Sequence, residues 1–155
     1  VKLSKIGKNP SIPLKFCFGI VQLALGFLLT QVGFQFVNEA YQVPLITLVF
    51  LYMLHTTGEL FLSPIGLSMV TKLSPKSMAG TAMGAWFLSF AIANYVGGKI
   101  ASLTGGHDGG EATSAESGLL QYLDTFATIG YVLLTIAAII FILNKPIQKL
   151  MHGVE

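Results

Sequence analysis

The chain has 155 residues, of which 53% are hydrophobic and only 10% are charged, and its net charge is +2. A soluble domain needs about 25% charged residues to cover its surface, so much of this chain's surface is predicted not to face water. The small net charge argues against a nucleic-acid partner, and the single cysteine, Cys17, excludes an internal disulfide and a cysteine metal cluster.

Four apolar runs are long enough to cross a membrane, since hydrocarbon about 30 Å thick takes about 20 residues of helix. They cover residues 14–37, 44–70, 77–103 and 119–143. Prolines punctuate them: Pro10 and Pro13 precede the first run, Pro44 begins the second, Pro75 precedes the third and Pro146 is predicted to end the fourth. The sequence therefore predicts an all-α membrane protein with about four transmembrane helices, and residues 1–155 form one partial bundle.

The connecting segments differ in charge, which predicts the topology. Lysines flank the beginning of the first run, the loop between the second and third, and the end of the fourth, namely Lys2, Lys5, Lys8, Lys15, Lys72, Lys76, Lys145 and Lys149. The charged residues of the other two connectors are all acidic: Glu39, Asp108, Glu111 and Glu116. Because short loops rich in lysine stay in the cytoplasm, both chain ends are predicted to be cytoplasmic. Lys99 is the exception, near the outer end of the third run, where it can reach the interface.

The second run contains one acid, Glu59, near its middle. An unpaired charge at the bilayer centre costs about 2.5–3.5 kcal/mol even on insertion scales, so Glu59 is predicted to face a cavity or a partner. A binding or proton-carrying role and a pairing between helices both fit. His55 and Ser63 lie four residues to either side of Glu59 and are predicted to share its helix face. Pro64 lacks an N–H and weakens the helix there.

A metal site is not predicted, although His55 and Glu59 have a spacing that could bind zinc. More ligands would be needed, and His107 and His152 are predicted at opposite membrane faces. His55 is expected to make a contact between helices.

The third run is built for close helix packing. Gly80 and Gly84 form a GxxxG pair, and a row of small residues at four-residue spacing follows: Ala85, Ser89, Ala93, Gly97 and Ala101. Another face carries Trp86 and Asn94. Trp86 is predicted to be either an interface anchor or, beside Phe87, part of an aromatic pocket wall, and Asn94 to bond to another helix.

Two stretches carry a resemblance to a known family. The run His55-Thr-Thr-Gly-Glu-Leu-Phe-Leu-Ser-Pro-Ile-Gly-Leu-Ser68 resembles the tenth transmembrane helix of the proton-dependent oligopeptide transporters, a family of the major facilitator superfamily. The run from Met78 to Gly98, with its Trp86-Phe87 pair, is similar to the eleventh helix. The flanking runs fit the ninth and twelfth helices by position and hydropathy.

The resemblance implies a proton-coupled symporter that imports dipeptides and tripeptides through the cell membrane, with the proton as coupling ion and no other cofactor. It implies that Glu59 pairs with the amino terminus of the peptide, that Ser63 lines the same site and that Trp86 and Phe87 shape side-chain pockets. Pro64 and Gly66 would be hinge positions at the cytoplasmic gate. Two bundles of six helices are expected in this fold.

Only part of that fold is expected in this chain. The family's motifs on its first and fifth helices are absent, so the chain is interpreted as a carboxyl-terminal piece that needs the remaining amino-terminal helices as partners. The alternative is a stand-alone four-helix membrane protein with a structural or accessory role, which would not need Glu59. A membrane hydrolase using His55 and Glu59 is a third reading, but no further ligands or nucleophile–base pair support an enzyme.

Overall fold

The computed structural model describes residues 10–104 and 114–151, which form four long α-helices. The helices are α1 (Ile12–Phe34), α2 (Leu45–Leu73), α3 (Ala79–Thr104) and α4 (Ala115–Leu150), with a short 3₁₀ turn at Lys76–Met78. Each overlaps one of the predicted runs. The prediction of an all-α membrane fold is therefore confirmed, and no strand occurs among these residues.

Three of the four helices, α1, α2 and α4, are both long and apolar enough to cross a membrane. The third helix has 26 residues, enough for about 39 Å at 1.5 Å per residue. Its many glycines, alanines and serines, together with Asn94 and Lys99, make it less apolar than the others. Its crossing of the membrane stays a prediction.

The first helix occupies the centre of this arrangement and packs against both α2 and α4. Its contact with α2 uses Gly19, Gly26 and Gly33, seven residues apart and all buried. A Cβ atom on Gly19 would lie 2.7 Å from Cγ of Leu62, and one on Gly33 would lie 2.7 Å from Oγ1 of Thr47. The absence of side chains at these positions lets the two backbones approach closely, which is how helices associate in lipid.

Polar side chains of α1 tie it to its two neighbours. Gln22 Nε2 donates a hydrogen bond of 2.6 Å to Thr57 Oγ1 of α2. Gln31 Nε2 donates one of 2.8 Å to the Leu123 carbonyl of α4. Near the beginning of α1, Ser11 Oγ donates to Asn144 Oδ1 at 2.8 Å. Hydrocarbon offers polar side chains no hydrogen-bond partners, so hydrogen bonds between transmembrane helices supply them. These bonds also fix the rotation of α1 about its axis.

The third helix packs mainly through its first half. Residues 87–99 are exposed on every side. A Cβ atom on Gly80, Gly84 or Gly97 would meet no atom within 4 Å. Asn94 makes no hydrogen bond with any residue of the ranges 10–104 and 114–151. The close packing predicted from the small-residue row is therefore not made among the described helices.

The turn between α1 and α2 is ordered by its own side chains and is joined to α4. Asn38 Oδ1 accepts hydrogen bonds from the backbone N–H groups of Ala40 and Gln42, and Tyr41 adopts a φ of 57° between them. The Tyr41 hydroxyl donates a bond of 3.1 Å to Glu116. This bond and the negative charge of Glu116 raise the pKa of Tyr41. The turn between α1 and α2 and the beginning of α4, both predicted to be external, thus lie on the same side.

The prediction that Pro146 ends the fourth helix is wrong, because α4 continues to Leu150. Proline removes only one backbone hydrogen bond, and the helix resumes beyond it, capped by the Met151 N–H. With 36 residues, α4 is about 54 Å long and projects beyond the hydrocarbon. Lys2, Lys5, Lys8, Asp108 and Glu111, which entered the topology prediction, lie outside the described residues.

Two neighbouring alanines of α4 test the packing of α1 against α4. Ala137 is 2% exposed and its carbonyl oxygen faces the Cys17 thiol at 3.3 Å, whereas Ala138 is exposed. We expect Ala137→Leu to destabilise the purified full-length protein by about 1–3 kcal/mol, because the larger side chain overpacks the interface. Thermal unfolding measures the effect, and Ala138→Leu is the matched control. Equal melting temperatures for the two variants would contradict this packing.

Candidate functional site

Glu59 lies at the midpoint of α2, as the fifteenth of its 29 residues, which agrees with the depth near the bilayer centre predicted from the sequence. Its side chain is exposed and makes no hydrogen bond or ion pair with the described part of the chain, residues 10–104 and 114–151. A carboxylate at this depth requires a cation, a proton or water as a partner. The site is therefore centred on the carboxylate of Glu59, which has no partner among the described residues of these four helices.

A cavity of about 300 Å³ opens beside Glu59, and we call it the Glu59 cavity. The second helix contributes Glu59, Leu62 and Ser63 to its wall. The third contributes Trp86 and Phe90, and the first contributes Phe16 and Ile20. Three of the four residues predicted to bind a substrate, Glu59, Ser63 and Trp86, thus meet at one cavity. It combines one carboxylate and one hydroxyl with an otherwise apolar wall.

Trp86 is positioned by Gly66, the residue predicted as a hinge. The indole ring lies directly over the buried Gly66, where an added Cβ atom would be 2.6 Å from Cζ2. No other residue type leaves room for the ring. Trp86 also packs edge-on against Phe90, with the ring centroids 6.0 Å apart. Gly66 therefore acts through Trp86 and sets one wall of the cavity.

Trp86 separates the Glu59 cavity from a second one. The second cavity has a volume of about 590 Å³, and its lining includes Val70, Ser74, Pro75 and Ala85. It lies toward the lysine-bearing turn between α2 and α3, which is predicted to be cytoplasmic. The indole thus lines both spaces.

Phe87, the fourth predicted substrate residue, is 60% exposed and is not part of the cavity wall. It contacts the wall through Phe90, whose ring centroid is 6.4 Å away. Pro64, the other predicted hinge, lies inside α2 one residue after Ser63, and the helix continues through it.

His55 does not share the cavity face, although it was predicted to. It lies against α1, where its ring centroid is 4.5 Å from that of Phe27 and its ring touches Gly26. Each four-residue step along an α-helix turns the direction of the side chain by about 40°, so His55 and Ser63 diverge by about 80°. His55 was expected to make a hydrogen-bonded contact with another helix; the packing contact is made, but the buried Nε2 has no hydrogen-bond partner there.

Metal ligands do not gather at this site. No group of three or more histidine, cysteine, aspartate or glutamate side chains is close enough to hold an ion within the described ranges. His107 and His152 lie outside those ranges.

Comparison with known proteins identifies relatives of this chain. Residues 2–114 match the sequence profile of the POT family. The chain is 35% identical over 150 residues to dipeptide and tripeptide permease A of Edwardsiella piscicida, covering 97% of this chain and 30% of the relative. It is 35% identical over 143 residues to permease A of Escherichia coli K12, covering 92% and 28%. Permease B of Aeromonas hydrophila is 32% identical over 153 residues, covering 98% and 30%.

The contact between Gly66 and Trp86 gives a test by compensation. We expect Gly66→Ala to destabilise the full-length protein by about 1–3 kcal/mol, because its Cβ atom displaces the indole. In a Trp86→Leu background, which removes the ring, Gly66→Ala should lower the free energy of unfolding much less. Thermal unfolding of the four proteins of this double-mutant cycle measures the coupling. Additive effects would show that the two residues do not touch.

Proposed function

Because the chain belongs to the POT family, we propose that it is part of a proton-coupled symporter that imports dipeptides and tripeptides by alternating access. It is a multi-pass protein of the inner membrane and, like the permeases it resembles, a transporter rather than an enzyme. The chain spans about 30% of the length of these relatives. The activity proposed here is therefore that of the whole transporter, to which these helices contribute one wall of the pathway.

The observation that carries the proposal is Glu59, an unpaired carboxylate at the helix midpoint that opens into a cavity. The amino terminus of a peptide is a cation at neutral pH. Charge-assisted hydrogen bonds between an ammonium and a carboxylate are about twice as strong as neutral ones and gain strength where water is scarce. In this proposal Glu59 binds the peptide's amino group, and the Ser63 hydroxyl adds a hydrogen bond within the same cavity.

The aromatic wall supports binding of peptide side chains of varied size. Trp86 and Phe90 offer large apolar surfaces with no fixed hydrogen-bonding pattern, so they favour burial of a side chain without selecting its chemistry. Phe87 contributes by holding the Phe90 ring rather than by lining the cavity.

A proton is the proposed coupling ion, and no other cofactor is required. A carboxylate at the bilayer centre is relieved of its unfavourable charge either by a proton or by a bound ammonium group. Binding of the substrate and binding of the proton thus both change the electrostatic free energy of this region. Coupling between the two ligands requires such a shared dependence.

Alternating access requires the site to open toward one side at a time. Trp86 stands between the Glu59 cavity and the larger cavity near Pro75. Pro64 removes a backbone hydrogen bond from α2 at the level of this boundary, which lowers the cost of bending the helix there. We propose that bending at Pro64 and Gly66 moves α2 relative to Trp86 and joins the two cavities. The remaining helices of the transporter form the opposite wall.

The role of Glu59 is tested with proton-driven uptake of labelled dialanine into liposomes that contain the full-length transporter. We expect Glu59→Gln to lower uptake at least about tenfold, because a charged hydrogen bond worth 1.5–3 kcal/mol is lost. The matched control is Asp124→Asn, which makes the same chemical change at an exposed acid of α4. A peptide blocked at its amino end should be a poor substrate for the unchanged protein.

Each outcome of this experiment has one meaning. Normal uptake by a folded Glu59→Gln protein would show that Glu59 only pairs helices. Failure of the unchanged protein to take up any dipeptide would overturn the proposed substrate.

A second comparison separates the two neighbouring aromatic residues. We expect Trp86→Ala to raise the apparent KM for dialanine by at least about fivefold, because it removes a wall of the cavity, on the scale of 1 kcal/mol or more. Phe87→Ala should change it less, since this side chain acts only through Phe90. A larger effect of Phe87→Ala would contradict the assignment of the cavity wall.

A further inference from the structure

A third cavity, with a charged end, is lined by α1 and α2 and does not include Trp86 in its wall. It has a volume of about 360 Å³, and we call it the Lys15 groove. Lys15 lies at one end, and Phe18, Val21 and Leu25 follow along the same side of α1. Phe61 of α2 forms the facing wall. Gln22 also lines the groove, and its amide nitrogen donates to Thr57. The groove is therefore mostly apolar along its length and cationic at one end.

The dimensions of the Lys15 groove match one leaflet of a bilayer. Ten residues separate Lys15 from Leu25, which corresponds to about 15 Å along the helix axis. Half of a hydrocarbon core about 30 Å thick has the same depth. Lys15 is the fourth residue of α1, so it lies near the end of this helix that is predicted to be cytoplasmic.

The charge of Lys15 has no partner in the described residues, 10–104 and 114–151, where its side chain makes no hydrogen bond or ion pair. No acid of these ranges pairs with it: Glu59 lines the Glu59 cavity from the midpoint of α2, and Glu39, Glu116 and Asp124 are predicted toward the opposite membrane face. The hydrogen bond from Ser11 to Asn144 brings the beginning of α1 next to the end of α4, where further lysines, Lys145 and Lys149, lie. The described charged residues near this contact, Lys15, Lys145 and Lys149, are therefore all cationic.

We propose that the Lys15 groove binds one anionic phospholipid, with its phosphate at Lys15 and one acyl chain lying along α1 as far as Leu25. A basic position between transmembrane helices on the cytoplasmic side is suited to anionic headgroups. The apolar groove below it suits an acyl chain, which a soluble anion lacks. This site is separate from the Glu59 cavity and does not depend on the proposed transport function.

The test is native mass spectrometry of the full-length protein in detergent, titrated with dioleoyl phosphatidylglycerol or with zwitterionic dioleoyl phosphatidylethanolamine. One lysine near a membrane surface contributes about 1 kcal/mol toward an anionic lipid, so we expect about a fivefold preference for phosphatidylglycerol at one site. Lys15→Gln should remove that preference, while Lys15→Arg should keep it. Lys149→Gln, at the same membrane face but outside the groove, is the matched control.

A second variant tests the acyl chain. Leu25→Trp fills the inner end of the groove and should weaken phosphatidylglycerol binding while Lys15 is intact, and inorganic phosphate should not compete. The proposal is overturned if the preference survives Lys15→Gln, or if Leu25→Trp leaves binding unchanged. It is also overturned if the unchanged protein retains no phosphatidylglycerol, since another helix of the transporter would then fill the groove.

Discussion

The close approach of α1 and α2 is the contact on which the rest of this arrangement depends. Gly19, Gly26 and Gly33 form a row along α1 that lets the backbone of α2 pack directly against it. Lipid gives helices no hydrophobic reason to associate, so packing contacts and hydrogen bonds must hold them together. Once this contact is made, the rotation of α2 is fixed. His55 then faces α1, while Glu59 and Ser63 face the space next to α3.

A second glycine contact extends the same principle to α3. Gly66 has no side chain, and the indole of Trp86 occupies that space. The contact brings the aromatic face of α3 to the level of Glu59 and leaves residues 87–99 of α3 exposed among the described helices. The packing of α3 is therefore less extensive than the contact of α1 with α2.

The two proposed binding sites of the chain carry charged residues of opposite sign. Glu59 is an acid at the midpoint of α2, and Lys15 is a base near the beginning of α1. Neither makes an ion pair with a residue of the ranges 10–104 and 114–151. Each opens into a cavity whose other walls are mostly apolar, so each charge is accessible to a ligand of opposite sign.

The sequence by itself determined the four helices, their membrane class and the family, because these follow from local hydropathy, proline positions and the motif around Glu59. It also singled out Glu59, Ser63 and Trp86 by residue type. Only the tertiary structure decided which of them meet, because side-chain direction depends on how each helix is rotated against its neighbours. In the tertiary structure His55 faces away from the cavity, Phe87 lies outside the cavity wall and Trp86 packs on Gly66. Helix α4 continues past Pro146, because helix formation beyond the proline outweighs the one hydrogen bond that is lost.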